Sequence, residues 1–185
     1  IDNGSYRLSP DVSGGSVESL LTTMAGVSAA NEMSNSYSVR GGSYDENSVY
    51  INGIEVYRPQ LVSSGQQEGL SIINPDMVGA IGFSTGGFDA SYADRMSSVL
   101  DIAYRQPEAF EGSVAVSLMG ASAAIGSSSR NFSQLHGIRY KQNASLLGSL
   151  EEKGDYDPRF FDYQTSMTYA FSPKVKLSVL GNVAV

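Results

Sequence analysis

Val49-Tyr50-Ile51-Asn52-Gly53-Ile54-Glu55-Val56-Tyr57 carries the clearest structural signal in the chain. Apolar residues alternate on both sides of an Asn-Gly pair. A type I′ turn needs positive φ at both central residues, which Asn and Gly tolerate best. The stretch therefore predicts a β-hairpin with Asn52 and Gly53 at its tip. Pairing across that tip sets Ile51 against Ile54 and Val49 against Val56, all on one face.

Working outward, Val17, Leu20, Leu21 and Met24 fall at i, i+3, i+4 and i+7, one apolar helical face. Ser16 is placed to cap that helix, Glu18 suits the positive end of its dipole, and Gly26 suits its exit. Downstream, Asn74-Pro75-Asp76 has the cap-then-proline start of a short helix. Ile81-Gly82-Phe83 and Val99-Leu100-Asp101-Ile102 read as strands bracketing a glycine-rich connection. The first part is thus predicted to be a small mixed α/β domain.

Charge divides the chain. Residues 1–110 hold five arginines, no lysine and thirteen acids, a net of −8, whereas residues 111–185 come to +1. The boundary is placed near Gln106-Pro107-Glu108, giving domains 1–106 (core 16–105) and 107–185. In the second, Phe161, Tyr163, Thr165, Met167, Tyr169 and Phe171 alternate with Asp162, Gln164, Ser166, Thr168 and Ala170. After a Ser172-Pro173 turn, Val175, Leu177, Val179, Val183 and Val185 continue one face opposite Lys174, Lys176, Ser178 and Asn182. Such a two-residue period fits a membrane β-strand with lipid outside and water inside. It fits equally a soluble β-sandwich, in which a core replaces the lipid. The uncharged run 112–129 is long enough for a membrane helix, but its glycines, serines and the alternation Val114, Val116, Leu118 predict strands, with a turn near Gly120.

Composition excludes several classes. The net charge of −7 over 185 residues argues against nucleic-acid binding, which needs a basic face. With no Cys there are no disulfides, thiolate zinc sites or thiol nucleophiles, and His136 is the single histidine. No N-terminal stretch has the regions of a signal peptide.

Several of these segments carry a resemblance. Leu20 to Val27 with Tyr37-Ser38-Val39-Arg40-Gly41-Gly42, then Asp45 to Ile54, then Asn74-Pro75-Asp76-Met77-Val78, and finally Gly86 to Ile102 resemble, in order, the plug domain of TonB-dependent outer-membrane receptors. Ala25-Gly26-Val27 departs from the family's usual Pro before the Gly. The resemblance implies an α+β chain: a mixed α/β plug followed by the first antiparallel strands of a truncated transmembrane β-barrel. It implies a Gram-negative outer-membrane location with the plug in the barrel lumen. The implied partners are lipid, a nutrient ligand and TonB, the last through a segment before residue 1. It also implies that Arg40 and Arg95 pair with acids of the plug or barrel wall. Tyr57, Arg58, Gln60, Gln66 and Gln67, in the polar loop after the hairpin, and Phe88 and Tyr92, in a second loop, would touch ligand through stacking surface and hydrogen-bonding groups. No enzyme activity, cofactor or metal is expected. The alternation running to Val185 predicts further strands beyond it, since a spanning sheet must close.

Two other readings compete. One is a periplasmic or surface binding module without transport. The other is a serine hydrolase: Gly82-Phe83-Ser84-Thr85-Gly86 matches a nucleophile elbow, with Asp94 or Asp101 and then His136 in triad order. No helical pattern follows Ser84, as that elbow requires. The acids Glu151, Glu152, Asp155 and Asp157 fit no EF-hand spacing and read as a solvated loop.

Overall fold

The computed structural model of the chain describes residues 17–29, 36–60, 63–64, 67–68, 71–92, 96–117, 120–142 and 159–185. The chain forms two compact units, Ile1–Tyr104 and Arg105–Val185. The stretch 143–158, with its four acids, lies outside the described residues, as do Ser16, Gln66, Asp94 and Arg95.

The first unit opens with a one-turn helix, α1 (Val17–Leu21). Val17 and Leu21 are fully buried, whereas Leu20 and Met24, predicted to share their face, are half-buried. Glu18 lies in the first turn, as expected of an acid at the positive end of the helix dipole. It flanks the Val17–Leu21 stripe, is buried, and accepts a hydrogen bond from the Ser71 hydroxyl. After Gly26, whose φ of 83° makes the predicted exit, β1 (Val27–Ala29) pairs antiparallel with β2 (Tyr37–Val39).

The predicted hairpin is present as β3 (Asn47–Ile51) and β4 (Ile54–Glu55). Asn52 and Gly53 take φ of 52° and 77°, and Ile51 faces Ile54. The Val56 amide donates to the Val49 carbonyl at 2.8 Å, so the predicted register holds. Burial differs along it: β3 is buried on both faces, while Ile54 is exposed because β4 is two residues of sheet edge. The main partner of β3 lies far away in sequence. It pairs in parallel with β8 (Ser98–Tyr104) from Asn47–Ser98 to Ile51–Ile102. Between them run two short strands, β5 (Ser63–Ser64) and β6 (Gln67–Glu68), a 3-10 turn at Pro75–Met77, and β7 (Val78–Ser84). Asn74 caps that turn as predicted, its Oδ1 accepting the Asp76 amide at 3.0 Å. β7 pairs antiparallel with β8, completing a sheet ordered β4-β3-β8-β7 around Val49, Ile51, Ile81, Leu100 and Ile102. Asn52 does more than turn the chain. Its Oδ1 accepts the Tyr104 amide at 2.8 Å and fastens the hairpin tip to the end of β8.

The second unit is one antiparallel sheet of β9 (Glu111–Ser117), β10 (Gly120–Ser129), β11 (Phe132–Gln142), β12 (Arg159–Ser172) and β13 (Val175–Ala184), paired in that order. The uncharged run 112–129 forms β9 and β10, not a helix. Gly120 is required where β10 begins, because a Cβ there would lie 2.0 Å from the Tyr140 carbonyl oxygen. The five strands do not close on themselves.

Burial in this sheet is inverted relative to a sandwich. Asp162 and Gln164, on the polar face of β12, are 0% and 2% exposed. Phe171 and Val183, on the apolar face, are 63% and 61% exposed. Opposite Asp162 stands Arg139, which grips its carboxylate with Nε at 2.7 Å and a terminal nitrogen at 2.9 Å. Gln164 donates to the same carboxylate at 2.9 Å. A β-sandwich would bury the aromatic row and wet the charges. This sheet does the reverse, which is the wall of a membrane barrel.

Two outcomes follow for the first unit. A Cβ on Gly53 meets no atom within 4 Å, so Gly53→Val strains only the backbone. Thermal melting is expected to show a loss of about 1–3 kcal/mol. Tyr37 is buried, and burial first, with the Glu18 carboxylate second, holds its phenol well above the ordinary value of 10.0. The unfolded chain releases this proton from about pH 10 while the folded chain keeps it. Stability should therefore be full below pH 10 and fall above it, and Tyr37→Phe should flatten that alkaline decline in a pH-melting series.

Candidate functional site

The sheet register of the first unit decides which predicted residues meet. β3 begins where β8 begins (Asn47–Ser98), β7 ends there (Ser84–Val99), and β4 runs out there past Val56. Four segments consequently converge on one end of the sheet: Arg40-Gly41-Gly42, Tyr57-Arg58, the loop 85–92, and Ser97. The Asn52-Gly53 tip lies at the opposite end, beside Tyr104.

At the convergent end Tyr57 is 75% exposed and Arg58 is also exposed, so both side chains are available to a ligand. Gln60 is half-buried, donates to the Ser36 hydroxyl at 3.1 Å, and bridges Ser71 through its backbone. That makes it a brace for the loop rather than a free contact. Gln67 lies in β6, which pairs with β5. Phe88 is half-buried in the second loop. Tyr92 turns back onto the sheet: its hydroxyl donates to Asp101 at 2.8 Å, and its ring meets Tyr50 edge-on at 5.0 Å between centroids. The hydrogen bond to Asp101, then the carboxylate's charge, holds the phenol above its ordinary value. At the loop's other end, Asp89 accepts the Ser91 amide and hydroxyl, which lower its pKa. Asp101 was thus the missing partner of Tyr92. Sequence offered it as a strand residue and as a triad candidate, with no indication of which loop would fold over it.

Arg40 is exposed at φ 51° and begins a tight turn through Gly41. Gly42 is confined, since a Cβ there would fall 2.0 Å from the Ser97 hydroxyl, itself donating to Glu46 at 2.6 Å. The guanidinium lies beside Gly86 and has no acidic partner among the described residues.

The hydrolase constellation does not assemble. The Ser84 hydroxyl donates to the Gly86 carbonyl, Asp101 is taken by Tyr92, and His136 is bonded to Tyr163. Residues 85–88 are bends and coil, not the helix that a nucleophile elbow needs.

This arrangement, a small mixed sheet with its loops gathered at one end followed by antiparallel strands with an apolar outer face, defines a plug with barrel strands. Residues 10–98 match the TonB-dependent Receptor Plug Domain family, which supports reading the chain as a fragment of a TonB-dependent receptor. Its fold is similar to two crystal structures of variants of the ferric enterobactin receptor PfeA from Pseudomonas aeruginosa. Both are 16% identical, with TM-scores of 0.58 and 0.60, over 91% and 97% of this chain. The chain spans about a third of those receptors, 30% and 31% of their length. No curated protein sequence matches it.

Tyr92→Phe removes the donor to Asp101 and leaves the ring packing in place. It should cost about 0.5–1.5 kcal/mol and speed proteolytic nicking within 85–92, measured by timed digestion and mass spectrometry.

Proposed function

We propose that the chain is part of a receptor that binds an external nutrient over the plug and imports it across a Gram-negative outer membrane with energy from TonB. The observation that carries this reading is the pairing of a plug fold with a sheet that hides Arg139, Asp162 and Gln164 and exposes its aromatic row. A water-soluble binding module has no use for such a face, because exposed apolar area of that extent drives association in water. Domains 1–106 and 107–185 are accordingly the plug and the first barrel hairpins. Tyr57 and Arg58 are the ligand contacts of the convergent end, with Gln60, Gln66, Gln67, Phe88 and Tyr92 as the further ligand-side residues that the resemblance implies. Arg40 and Arg95 serve plug–barrel pairing. An iron chelate is the first nutrient to test, since the structural neighbours are ferric enterobactin receptors.

In a deletion strain, the full-length gene should restore growth on the right nutrient only when TonB is present, and the purified protein should show heat-modifiable migration. Arg58→Ala should weaken binding of that nutrient about tenfold, or 1.4 kcal/mol, without changing the protein's level in the outer membrane. Growth that is independent of TonB would defeat the transport reading.

A further inference from the structure

Gly126 lies inside β10, where a glycine weakens the strand and often marks the close approach of another segment. That segment is present. A Cβ on Gly126 would fall 2.5 Å from Pro107 Cγ and 3.2 Å from Glu111 Cγ. Glu111, the first residue of β9, stands opposite Gly126, and Gly126 stands opposite Leu135. Residues directly opposite share a face, and the two-residue period puts Arg139 on it as well. The segment 105–111 is therefore folded against the polar face of the second unit, not against its aromatic one.

The segment is held at three points. Pro107 is buried in the notch that Gly126 leaves, and as a proline it has no N–H that burial would deprive of an acceptor. On either side of it, Arg105 Nε meets Glu111 Oε1 at 3.3 Å, and both residues are half-buried. An ion pair so placed contributes little alone. Here it draws together the two ends of a segment whose middle is already seated. Gln106, Glu108, Ala109 and Phe110 are exposed, so the fixed points are Arg105, Pro107 and Glu111.

β8 keeps its ladder as far as Tyr104, opposite Val78, and the next residue, Arg105, already belongs to the second unit. No slack chain lies between them. Resting on the transport reading above, we infer that Arg105, Pro107, Glu111 and the Gly126 notch form a strap that keeps this junction closed while the plug is displaced. Released, residues 105–110 would extend to roughly 20 Å, all of it added reach for the end of β8. Seated, they give β8 none of it. The strap thereby limits how far the last strand of the plug can travel from β9.

The test uses the full-length receptor and two variants. Gly126→Val fills the notch with a residue that suits a strand, and Glu111→Gln removes the charge beside Arg105 with no change of shape. Heat-modifiable migration reports that each has folded. Trypsin should cut the purified parent slowly after Arg105, and about tenfold faster in either variant, because cleavage follows the population of the open segment. Cleavage after Arg130, exposed in the turn between β10 and β11, should not change. In cells, both variants should admit a bulky antibiotic that the parent excludes, and only when TonB is present. Rapid cleavage after Arg105 in the parent, or no rise in the folded variants, would overturn the strap. Antibiotic entry that is absent, or that is equal without TonB, would overturn its role in limiting plug movement. Growth of the parent on its nutrient without TonB would instead defeat the transport reading, and the trypsin result would still report whether the segment is seated.

Discussion

Five consecutive residue pairs, Asn47 with Ser98 through Ile51 with Ile102, are what the first unit is built on. This parallel ladder places β3 and β8 at the centre of the four-stranded sheet. Only β4 and β7 are paired directly to them, β4 along β3 and β7 along β8, while β1–β2 and β5–β6 form sheets of their own, and Asn52 ties the hairpin tip to Tyr104. Buried polar contacts reinforce the joint: the Ser98 hydroxyl donates to Asn47 Oδ1 at 2.6 Å, and Asn47 Nδ2 donates to the Tyr37 and Tyr44 carbonyls. A buried polar group is costly unless satisfied. These bonds therefore favour this register over one slipped by a residue, which would also reverse both faces of β3.

The second unit obeys a different constraint. Its charged residues can be hidden only as a matched set, and Arg139, Asp162 and Gln164 supply one: a two-pronged guanidinium on a carboxylate, with an amide donating to the same group. Breaking such a pair leaves an uncompensated charge, at a typical cost of about 3–5 kcal/mol. The outer face then bears the aromatic and β-branched residues. The two faces together make sense only with hydrocarbon on one side, the opposite of the bargain struck in a water-soluble sheet.

Local chemistry was legible in the sequence, and long-range pairing was not. The Asn52-Gly53 turn, the Asn74 cap, the Gly26 exit and the strands of the second unit each follow from residues within a few positions of one another. The parallel partner of β3 does not, because nothing local couples residue 47 to residue 98. Asp162 was assigned to the polar face, but its pairing with Arg139 depends on a register that the intervening stretch leaves open. Helix α1 shows the limit of periodicity in one turn. The buried residues are Val17, Glu18 and Leu21, and the Glu18 carboxylate meets a donor in Ser71, over fifty positions away, that no local pattern announces. At the candidate site, sequence offered Tyr57, Arg58, Gln60 and Tyr92 alike as candidates, and tertiary structure alone revealed that Gln60 and Tyr92 are braced inward.

The separation of contacts along the chain also sets an order of assembly. In the second unit, Ser129 meets Phe132 and Ser172 meets Val175, so hairpins zip from short turns on a timescale of about microseconds. In the first unit the bonds Asn47–Ser98 and Asn52–Tyr104 join residues 51 and 52 positions apart. Their formation waits on closing a long loop, with the entropy spent before any of the ladder is gained. Until then β3, which the folded unit buries on both faces, is without its principal neighbour, and the Asn-Gly hairpin is the local structure that shields an edge of it.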